Sequence, residues 1–277
     1  MNYKNNIAVV SPFAKQEGGL RLQGIRKCGE LGRPLITIIT ATYNSIECFP
    51  TAIESVRAQT YDNVEWIVVD GASSDDTLDL FKQNEDVIDY WISEPDKGIY
   101  DAWNKGIGFA SGEWIAFLGA DDSYFEGALE AYVTLIVNYR DSQLDYISSR
   151  VNLTEGCKKV RTIGQPWNWK TFQRYMTVAH VGSLHSRALF KKYGLYDTAY
   201  RICGDYELLL RPREKLKAAY IDFVSVNMSI GGSSDSSLAL YEAERAKVLT
   251  GGRNSLLSYI EKMIAVGKLK LRKWLWY

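Results

Sequence analysis

The sequence predicts a single α/β domain with a mainly parallel central sheet. Between residues 34 and 118, apolar and often β-branched runs alternate with stretches of helical spacing. This alternation is typical of right-handed βαβ crossovers, which build parallel sheets. Polar residues follow the apolar runs at 42–44, at Asp70 and at 121–122. Because open α/β sheets bind ligands beyond the carboxyl ends of their strands, we expect these residues to share one site.

The first half of the chain is expected to supply the central strands. Their sequences are rich in Val, Ile and Trp, as in strands that are buried on both faces. These strands are predicted at 35–40, 65–69, 90–93 and 114–118. The intervening helices are marked by Ala52, Ile53 and Val56 on one side, by N-capping residues at 73–77, and by helical spacing over 99–109.

The pattern changes after residue 125. An amphipathic helix is predicted over 128–138, and an edge or hairpin pair at 146–149 and near Val160. Residues 166–200 are rich in aromatic residues and predict loops and short helices. The stretch 219–221 suits a late strand, because it combines β-branched and aromatic residues.

The chain is expected to form one domain with two extensions. Residues 1–33 are glycine-rich and weakly patterned, which predicts an extension without a core of its own. The domain spans 34–231 and ends at a glycine–serine stretch that is typical of a flexible break. Residues 232–277 predict a helical C-terminal extension.

Composition excludes several classes of protein. Lys+Arg and Asp+Glu are balanced at 33 each, so the charge does not indicate a nucleic-acid partner. The four cysteines form no CxxC pair, which argues against a zinc site or a disulfide framework. Residues 1–15 lack the apolar segment of a signal peptide, and no run reaches the roughly 20 apolar residues of a transmembrane helix. We therefore expect a cytoplasmic protein.

The most informative stretch is the apolar run 114–118, which leads into two adjacent carboxylates. Asp121 and Asp122 would lie just beyond a buried strand. Mg²⁺ and Mn²⁺ prefer carboxylate oxygens and often bridge to phosphates, so the stretch predicts a site for a metal and a diphosphate. A second interpretation is open at this point, because an aspartate before Ser123 also suits the N-cap of a helix.

Five segments resemble the family 2 glycosyltransferases of the GT-A fold, which is a Rossmann-like fold. They are TIITATYN (37–44), VVDGASSD (68–75), DKGIYDAWNKG (96–106), LGADD (118–122) and GDYEL (204–208). They occur in the family's order and spacing between about residues 34 and 231. The resemblance implies an enzyme that moves a sugar, with inversion, from a nucleotide-sugar donor to an acceptor hydroxyl. It also implies a divalent cation at a DxD-type motif, and a UDP-sugar is the expected donor.

Two loops are implied to hold the nucleotide. Thr42, Tyr43 and Asn44 match the family's first loop, which meets the base and the ribose. Asp70 matches the acid that hydrogen-bonds the base, where a carboxylate can accept the imide N–H of uracil. A turn after a strand, or a cap before Gly71, would explain the same residues structurally.

A third loop is implied to lie on the diphosphate side of the donor. It contains Asp96, Lys97 and Gly98, and a glycine there would allow close approach of the backbone. Asn104 and Lys105 follow on the predicted helix. Either lysine could neutralise phosphate as a point charge, whereas a solvated surface lysine is the commoner outcome.

The metal motif departs from its fullest form. Asp121 matches the principal ligand, and Asp122 matches a second ligand or a residue behind it. Gly119 stands where many family members have a first carboxylate. The remaining pair still predicts a site for Mn²⁺ or Mg²⁺, because the donor diphosphate and water can supply further oxygens.

Asp205 matches the position of the general base. An acceptor hydroxyl is a poor nucleophile until a carboxylate takes its proton. Many relatives have Glu-Asp here, whereas this chain has Gly204 before Asp205. The structural alternative is an acid in the first turn of a helix, which the helix dipole favours.

The acceptor is expected to be a glycan or a lipid-linked molecule, in the assembly of a surface polysaccharide or glycolipid. His180 matches a histidine near the acceptor region of relatives, although a lone histidine is more often a structural group than a catalyst. Residues 268–277 mix cations with aromatic residues. Such a segment suits peripheral association with the inner face of the plasma membrane, or equally a docked helix with a basic outer face.

Two rival functions differ in class from the enzyme. The glycine at 119 is also compatible with a catalytically silent protein that binds nucleotide sugars. A nucleotidyltransferase would need a glycine-rich, basic loop after the first strand to hold a triphosphate. The sequence at 41–44 lacks such a loop, so this function ranks last.

Overall fold

The computed structural model describes residues 15–139, 143–231 and 236–275. The strands are β1 Gln16–Gly18, β2 Ile36–Thr42, β3 Val64–Asp70, β4 Tyr90–Ser93, β5 Trp114–Phe117, β6 Ser123–Tyr124, β7 Tyr146–Glu155, β8 Lys158–Ile163, β9 Ser183–Ser186 and β10 Ala218–Ser229. The helices are α1 Phe49–Arg57, α2 Thr77–Gln83, α3 Ile99–Phe109, α4 Ala128–Asn138, α5 Trp169–Phe172, α6 Arg187–Tyr193, α7 Gly204–Leu210, α8 Ser237–Leu249 and α9 Ser255–Leu275. Short 3-10 helices lie at Leu20–Gln23, His180–Gly182 and Arg213–Lys215.

The predicted α/β fold is confirmed, but the sheet is mixed rather than mainly parallel. The strand order is β1-β4-β3-β2-β5-β9-β7-β10-β6, with β8 paired to β7. Strands β4, β3, β2 and β5 form one parallel block, and β7 with β10 forms another. Strand β9 separates the two blocks, because it runs antiparallel to both β5 and β7. The antiparallel strands β1, β6 and β8 complete the sheet.

Strand β2 marks the point where the chain changes direction across the sheet. The chain moves from β2 through β3 to β4 on one side, and then returns to place β5 on the other side of β2. Such a switch leaves a crevice at the carboxyl ends of the two central strands, where open α/β sheets bind ligands. The residues after β2 and β5 therefore lie at the mouth of this crevice.

Helices cover both faces of the sheet. Ile36 and Ile38 of β2 pack in one apolar cluster with residues of α1, α2 and α4. Ile39 points to the opposite face, where residues of α3, α6, α7 and α8 form a second cluster. Both faces of the central strands are buried, as their continuous apolar sequences predict.

The predicted bounds of β4, α3 and α4 coincide with those observed. Strand β9 was not predicted, because two serines and a histidine in four residues do not read as a buried strand. Residues 123–124 form a short strand against β10 instead of starting a helix, and α4 begins only at Ala128. Strand β10 is also much longer than the predicted 219–221.

The N-terminal segment is attached to the domain. Strand β1 pairs with β4 at the edge of the sheet. Arg21 forms an ion pair with Glu65, and its Nη1 donates to the carbonyl of Phe109 at 2.7 Å. Lys27 Nζ lies 2.9 Å from the buried carboxylate of Asp89. The described part of the predicted extension thus adds a strand to the sheet, which its glycine-rich sequence did not indicate.

No helix in the described part of the chain is long and apolar enough to cross a membrane.

Candidate active site

The predicted donor residues gather at the carboxyl ends of β2, β3 and β5. Thr42 and Asp70 are direct neighbours in the parallel register of β2 and β3. The pKa of the Cys48 thiol is raised by burial and then by the negative charge of Asp121, which places Asp121 close to the loop after β2. Three segments that are distant in the sequence therefore border one crevice.

The first two loops hold each other in an unusual backbone conformation. Asn44 and Ala72 have positive φ values of 48° and 64°, which cost of order 1–3 kcal/mol for residues other than glycine. The Asn44 amide donates to Ser73 Oγ at 2.7 Å, and Asn44 Oδ1 accepts from the Ser74 amide at 2.8 Å. Tyr43 is left 62% exposed at the tip of its loop. Thr42 is buried, whereas Tyr43 and Asn44 are exposed, so these two residues of the trio are open to a ligand.

The carboxylate of Asp70 is engaged with the protein. Its Oδ1 accepts from the hydroxyls of Thr42, at 3.0 Å, and Ser73. Its Oδ2 accepts from the Ser73 amide at 2.8 Å and from the Ser93 hydroxyl at 2.7 Å. These four bonds fill the acceptor positions of a fully buried carboxylate. A contact with the base would replace one of them, and the predicted contact stays a prediction.

The third loop brings Asp96 to the same place. A Cβ atom on Gly71 would lie 2.8 Å from Asp96 Oδ2 and 3.5 Å from the Tyr43 ring, so a larger residue there would require the Asp96 carboxylate to move. Asp96 Oδ1 accepts from the Gly98 amide at 2.8 Å, and Gly98 has a φ of 116° that favours glycine. Lys97 is exposed, and its ammonium group makes no ion pair with the residues that the structure describes.

Two predicted donor residues of α3 make contacts within the protein. Asn104 Nδ2 donates to the carbonyl of Tyr196 at 2.9 Å, and its Oδ1 accepts from the Tyr196 amide at 3.0 Å. Lys105 Nζ lies 2.8 Å from Glu94 and 3.0 Å from the carbonyl of Pro95. The polar atoms of both residues already bind the protein, and their donor contacts stay predictions.

The two adjacent carboxylates have different environments. Asp121 is exposed, and its carboxylate accepts no hydrogen bond from a described residue. Asp122 is 6% exposed, with Oδ1 accepting from the Ser229 amide at 3.1 Å and Oδ2 from the Gly119 amide at 3.2 Å. Burial, and then the charge of Asp121, raise the pKa of Asp122 to about 7. This geometry favours the second of the two predicted roles of Asp122, support behind Asp121, and its role as a metal ligand stays a prediction.

Gly119 permits this arrangement. A Cβ atom at this position would lie 2.5 Å from Asp122 Oδ2 and 3.1 Å from Asp121 Oδ1. The absence of the first carboxylate of the motif therefore allows the carboxylate of Asp122 to pack closely against the backbone at position 119. Within the described ranges, no three His, Cys, Asp or Glu side chains converge as a metal cage. One exposed carboxylate still suits Mg²⁺ or Mn²⁺, because these ions often bind one or two carboxylates and take other oxygens from substrate phosphates and water.

The two carboxylate oxygens of Asp205 have different surroundings, because one accepts hydrogen bonds and the other is open. Asp205 lies in the first turn of α7, where Oδ1 accepts from the Tyr206 amide at 2.8 Å and lies 3.2 Å from the Tyr100 hydroxyl. Oδ2 accepts no hydrogen bond from the residues seen in this structure. Burial raises the pKa of Asp205 to about 6, and the hydrogen bonds from Tyr206 and Tyr100 oppose this rise. A carboxylate with such a pKa is suited to proton transfer near neutral pH.

Tyr100 connects the base to the donor loops. It lies in the first turn of α3, four residues after Asp96, so the chain cannot separate them by more than about 14 Å. Its hydroxyl also donates to the carbonyl of Ile202 at 2.6 Å. A Cβ atom on Gly204 would lie 2.8 Å from the Tyr100 ring, which explains why no larger side chain precedes Asp205.

His180 belongs to an aromatic cluster next to β5. Its ring stacks on Trp103 with centroids 4.7 Å apart, and Nε2 lies 2.9 Å from the Tyr196 hydroxyl. Burial, and then His185, keep the pKa of His180 well below its usual range. The imidazole is therefore neutral at physiological pH, and its predicted acceptor contact stays a prediction.

Comparison with known proteins decides the family. The sequence model of glycosyl transferase family 2 matches residues 37–193, which is more than half of the chain. The chain belongs to this family. A PGL/p-HBAD biosynthesis glycosyltransferase of Mycobacterium bovis is 30% identical over 192 residues, which cover 65% of this chain and 70% of the relative. An uncharacterized glycosyltransferase of Rickettsia typhi is 28% identical over 249 residues, covering 84% and 76%.

Solved structures share the fold of this family 2 glycosyltransferase at low sequence identity. S. aureus TarS in complex with UDP-GlcNAc superimposes with a TM-score of 0.65 at 15% identity, over 81% of this chain and 69% of TarS. The mannosyltransferase PcManGT from Pyrobaculum calidifontis, in complex with GDP-Man and Mn²⁺, has a TM-score of 0.57 at 16% identity, over 90% and 80%. The predicted GT-A fold is thereby confirmed.

The C-terminal helices of the glycosyltransferase support the loop of Asp205 through a residue that sequence reasoning missed. Glu242 of α8 is 6% exposed, and its carboxylate accepts from the amides of Arg201 at 2.8 Å, Ile202 at 2.8 Å and Cys203 at 2.9 Å. These amides directly precede the helix that carries Asp205. No local pattern in the sequence indicates this role, because the partners of Glu242 lie some forty positions away.

We expect Glu242→Gln to impair both the stability and the activity of the enzyme. The variant loses charge-assisted hydrogen bonds, so unfolding should become easier by roughly 1–3 kcal/mol. Because the negative charge of Glu242 also raises the pKa of Asp205, its removal should move the acidic limb of the pH–rate profile to lower pH. Thermal unfolding and the pH dependence of transfer measure the two effects.

Glu244→Gln is the matched control, since Glu244 lies on the same helix and pairs with Lys262. It should leave the acidic limb in place. An unchanged limb in Glu242→Gln as well would show that Glu242 has no electrostatic effect on Asp205.

The predicted membrane-contacting segment remains a prediction. Its side chains, from 268 to 277, lie outside the described residues.

Proposed function

We propose that this glycosyltransferase is an inverting, metal-dependent enzyme that transfers a sugar from a UDP-sugar to an acceptor hydroxyl. The observation that carries the proposal is the carboxylate of Asp205, which has one oxygen held by Tyr206 and Tyr100 and the other open. Burial raises the pKa of Asp205 to about 6, which suits a base that takes a proton near neutral pH.

The proposed reaction is a single displacement. The acceptor hydroxyl donates a hydrogen bond to Asp205 Oδ2, and its oxygen attacks the anomeric carbon from the face opposite the diphosphate. The new glycosidic bond forms as the bond from the anomeric carbon to the diphosphate oxygen breaks. The hydroxyl proton passes to Asp205, and the bonding electrons leave with the nucleotide diphosphate. Attack from the opposite face inverts the configuration of the sugar.

The leaving diphosphate would be held on the side of Asp121. A bound Mg²⁺ or Mn²⁺ would neutralise the charge that develops on the diphosphate. Asp121 would supply the protein carboxylate to this ion, and Asp122 would keep the turn of Asp121 in place. Lys97 is exposed in the third loop and makes no ion pair with a described residue. It can therefore add a positive charge near the diphosphate without breaking an ion pair.

The nucleotide would lie against Tyr43 and Asp96. Tyr43 offers an exposed ring, and Asp96 lies across Gly71 from it. The structural relatives were determined with UDP, UDP-GlcNAc and GDP-Man, which supports a nucleotide-sugar donor. A glycan or glycolipid acceptor is supported by the mycobacterial relative, which is named for PGL/p-HBAD biosynthesis. We place the reaction in the cytoplasm or at the inner face of the plasma membrane.

The donor and the metal are tested together. UDP-, GDP- and dTDP-sugars are incubated with the enzyme in Mn²⁺, Mg²⁺ or EDTA, and binding and slow donor hydrolysis are measured. We expect one UDP-sugar to be hydrolysed in the presence of metal, and EDTA to abolish this turnover. Hydrolysis that is unchanged in EDTA would contradict metal dependence. Binding without hydrolysis and without transfer to mixed acceptors would favour the silent binding protein.

A further inference from the structure

A large cavity lies on the side of Asp205 that is formed by the C-terminal helices. Its volume is about 610 Å³, within the usual range of small-molecule sites. The walls come from residues 174–176, the start of α7, and the facing sides of α8 and α9. Asp205 is the member of the predicted site that lines it, whereas the described donor loops lie elsewhere. The cavity is thus placed to receive the acceptor.

The lining of this cavity is mainly apolar. Its carbon-rich walls include Met176, Leu240, Ala243, Ile264 and Ala265. Ile264 is also 55% exposed, and Leu256, Ile260 and Met263 of the same helix are 65%, 47% and 50% exposed. The apolar surface therefore continues from the cavity onto the outer side of α9.

The cationic side chains at the cavity pair with glutamates. Glu261 lies 3.1 Å from Lys247 and 3.3 Å from Arg174, and it also pairs with Arg253 at 2.6 Å, whereas Lys262 pairs with Glu244. Three cations therefore share the carboxylate of Glu261. The apolar side chains supply most of the remaining lining, which suits the apolar part of a bound molecule.

We propose that this cavity binds the apolar part of the acceptor, an amphiphile whose hydroxyl group is attached to an alkyl or aryl body. The open oxygen of Asp205 accepts the hydroxyl, and the apolar body extends between α8 and α9. This inference rests on the proposed role of Asp205 for the orientation of the acceptor. The continuous apolar surface on α9 provides a route by which an amphiphile enters from a lipid or detergent phase.

The test compares the binding of methyl, butyl and octyl β-D-glucosides to the full chain, below the micelle concentration of the octyl compound. Each methylene that is buried should tighten binding about fourfold, so the octyl compound should bind at least about 100-fold more tightly than the methyl compound. Equal binding of the three would overturn the proposal. Donor hydrolysis, measured in parallel, reports on the proposed function separately because it needs no acceptor.

Variants of α9 locate the bound chain. Ala265→Phe fills the cavity and should abolish the preference for the octyl chain, while Ala265→Ser should weaken it several-fold with little change in volume. Val266→Phe is the control, because it introduces the same side chain at the next position of the helix. Among the described residues, Val266 does not line the cavity. This variant should therefore keep the preference for the octyl chain. Unfolding curves show whether each variant is folded.

Equal loss in Ala265→Phe and Val266→Phe would overturn the proposal, since it would mean unspecific binding to α9. Absence of octyl binding together with concentration-dependent self-association that Ala265→Phe abolishes would also overturn it, and would assign the surface to a second copy of the chain. A normal octyl preference in an enzyme that hydrolyses no donor would support the cavity while the proposed function fails.

Discussion

Asp205→Asn should lower sugar transfer by about 10²–10⁴-fold while the nucleotide-sugar donor still binds. The amide has nearly the shape of the carboxylate, and its oxygen can still accept from Tyr206 and Tyr100, so the loop should keep its structure. It cannot take the proton of the acceptor hydroxyl. Transfer rates at saturating donor, together with donor binding by calorimetry, measure the two properties.

The pH dependence of the same enzyme gives an independent test of this role. Because burial raises the pKa of Asp205 to about 6, the base is protonated below that pH and ionised above it. Transfer should therefore fall about tenfold per pH unit below about pH 6 and be level above it. The residual activity of Asp205→Asn should lack this limb. If the variant shows an acidic limb at the same pH as the wild type, the titrating group is not Asp205.

Asp197→Asn is the matched control for the loss of a carboxylate. Asp197 is exposed and accepts from the Ala199 amide in a surface turn. This variant should retain the transfer rate and the pH profile of the wild type. Wild-type turnover in Asp205→Asn would refute the assignment of the base.

Asp121→Asn should abolish the response of the enzyme to Mn²⁺ or Mg²⁺ and reduce transfer by at least about 10²-fold. Asp121 is the exposed carboxylate of the pair, and the structure offers it no protein partner within the described residues. Without this ligand, the diphosphate leaves with less neutralisation of its charge. Metal titrations of the donor-hydrolysis rate measure the effect.

Asp122→Asn separates the two carboxylates. Its side chain binds the amides of Ser229 and Gly119, so the variant should lower the unfolding temperature but keep most of the metal response. The opposite result, in which Asp122→Asn loses the metal response and Asp121→Asn keeps it, would show that Asp122 leaves its hydrogen bonds to bind the ion.

The donor loops show how far local sequence predicts a site. Thr42, Asp70 and Asp121 were placed correctly at neighbouring strand ends. The short apolar runs before them form parallel strands, and the carboxyl ends of parallel strands lie at the same edge of the sheet. Which of these side chains is free could not be predicted. The Asp70 carboxylate accepts locally from Ser73, three residues away, but the hydroxyls of Thr42 and Ser93 reach it only after the strands have paired.

The same limit applies to the polar residues of α3. Asn104 and Lys105 lie on the helix that was predicted, with its bounds. Their side chains are used by Tyr196 and Glu94, and the first of these lies 92 positions away. Hydrogen bonds over such separations leave no periodic signal in the sequence.

The sequence by itself determined the α/β class, the central parallel strands, the family and the acidic residues at the strand ends. Each of these depends on local patterns, namely apolar runs, helical spacing and short motifs. Only the tertiary structure decided that β9 divides the sheet into two parallel blocks and that Glu242 of α8 supports the loop of Asp205. It also decided that an apolar cavity adjoins this base. These features arise from contacts between distant segments, where burial and hydrogen-bond satisfaction outweigh the preferences of the local sequence.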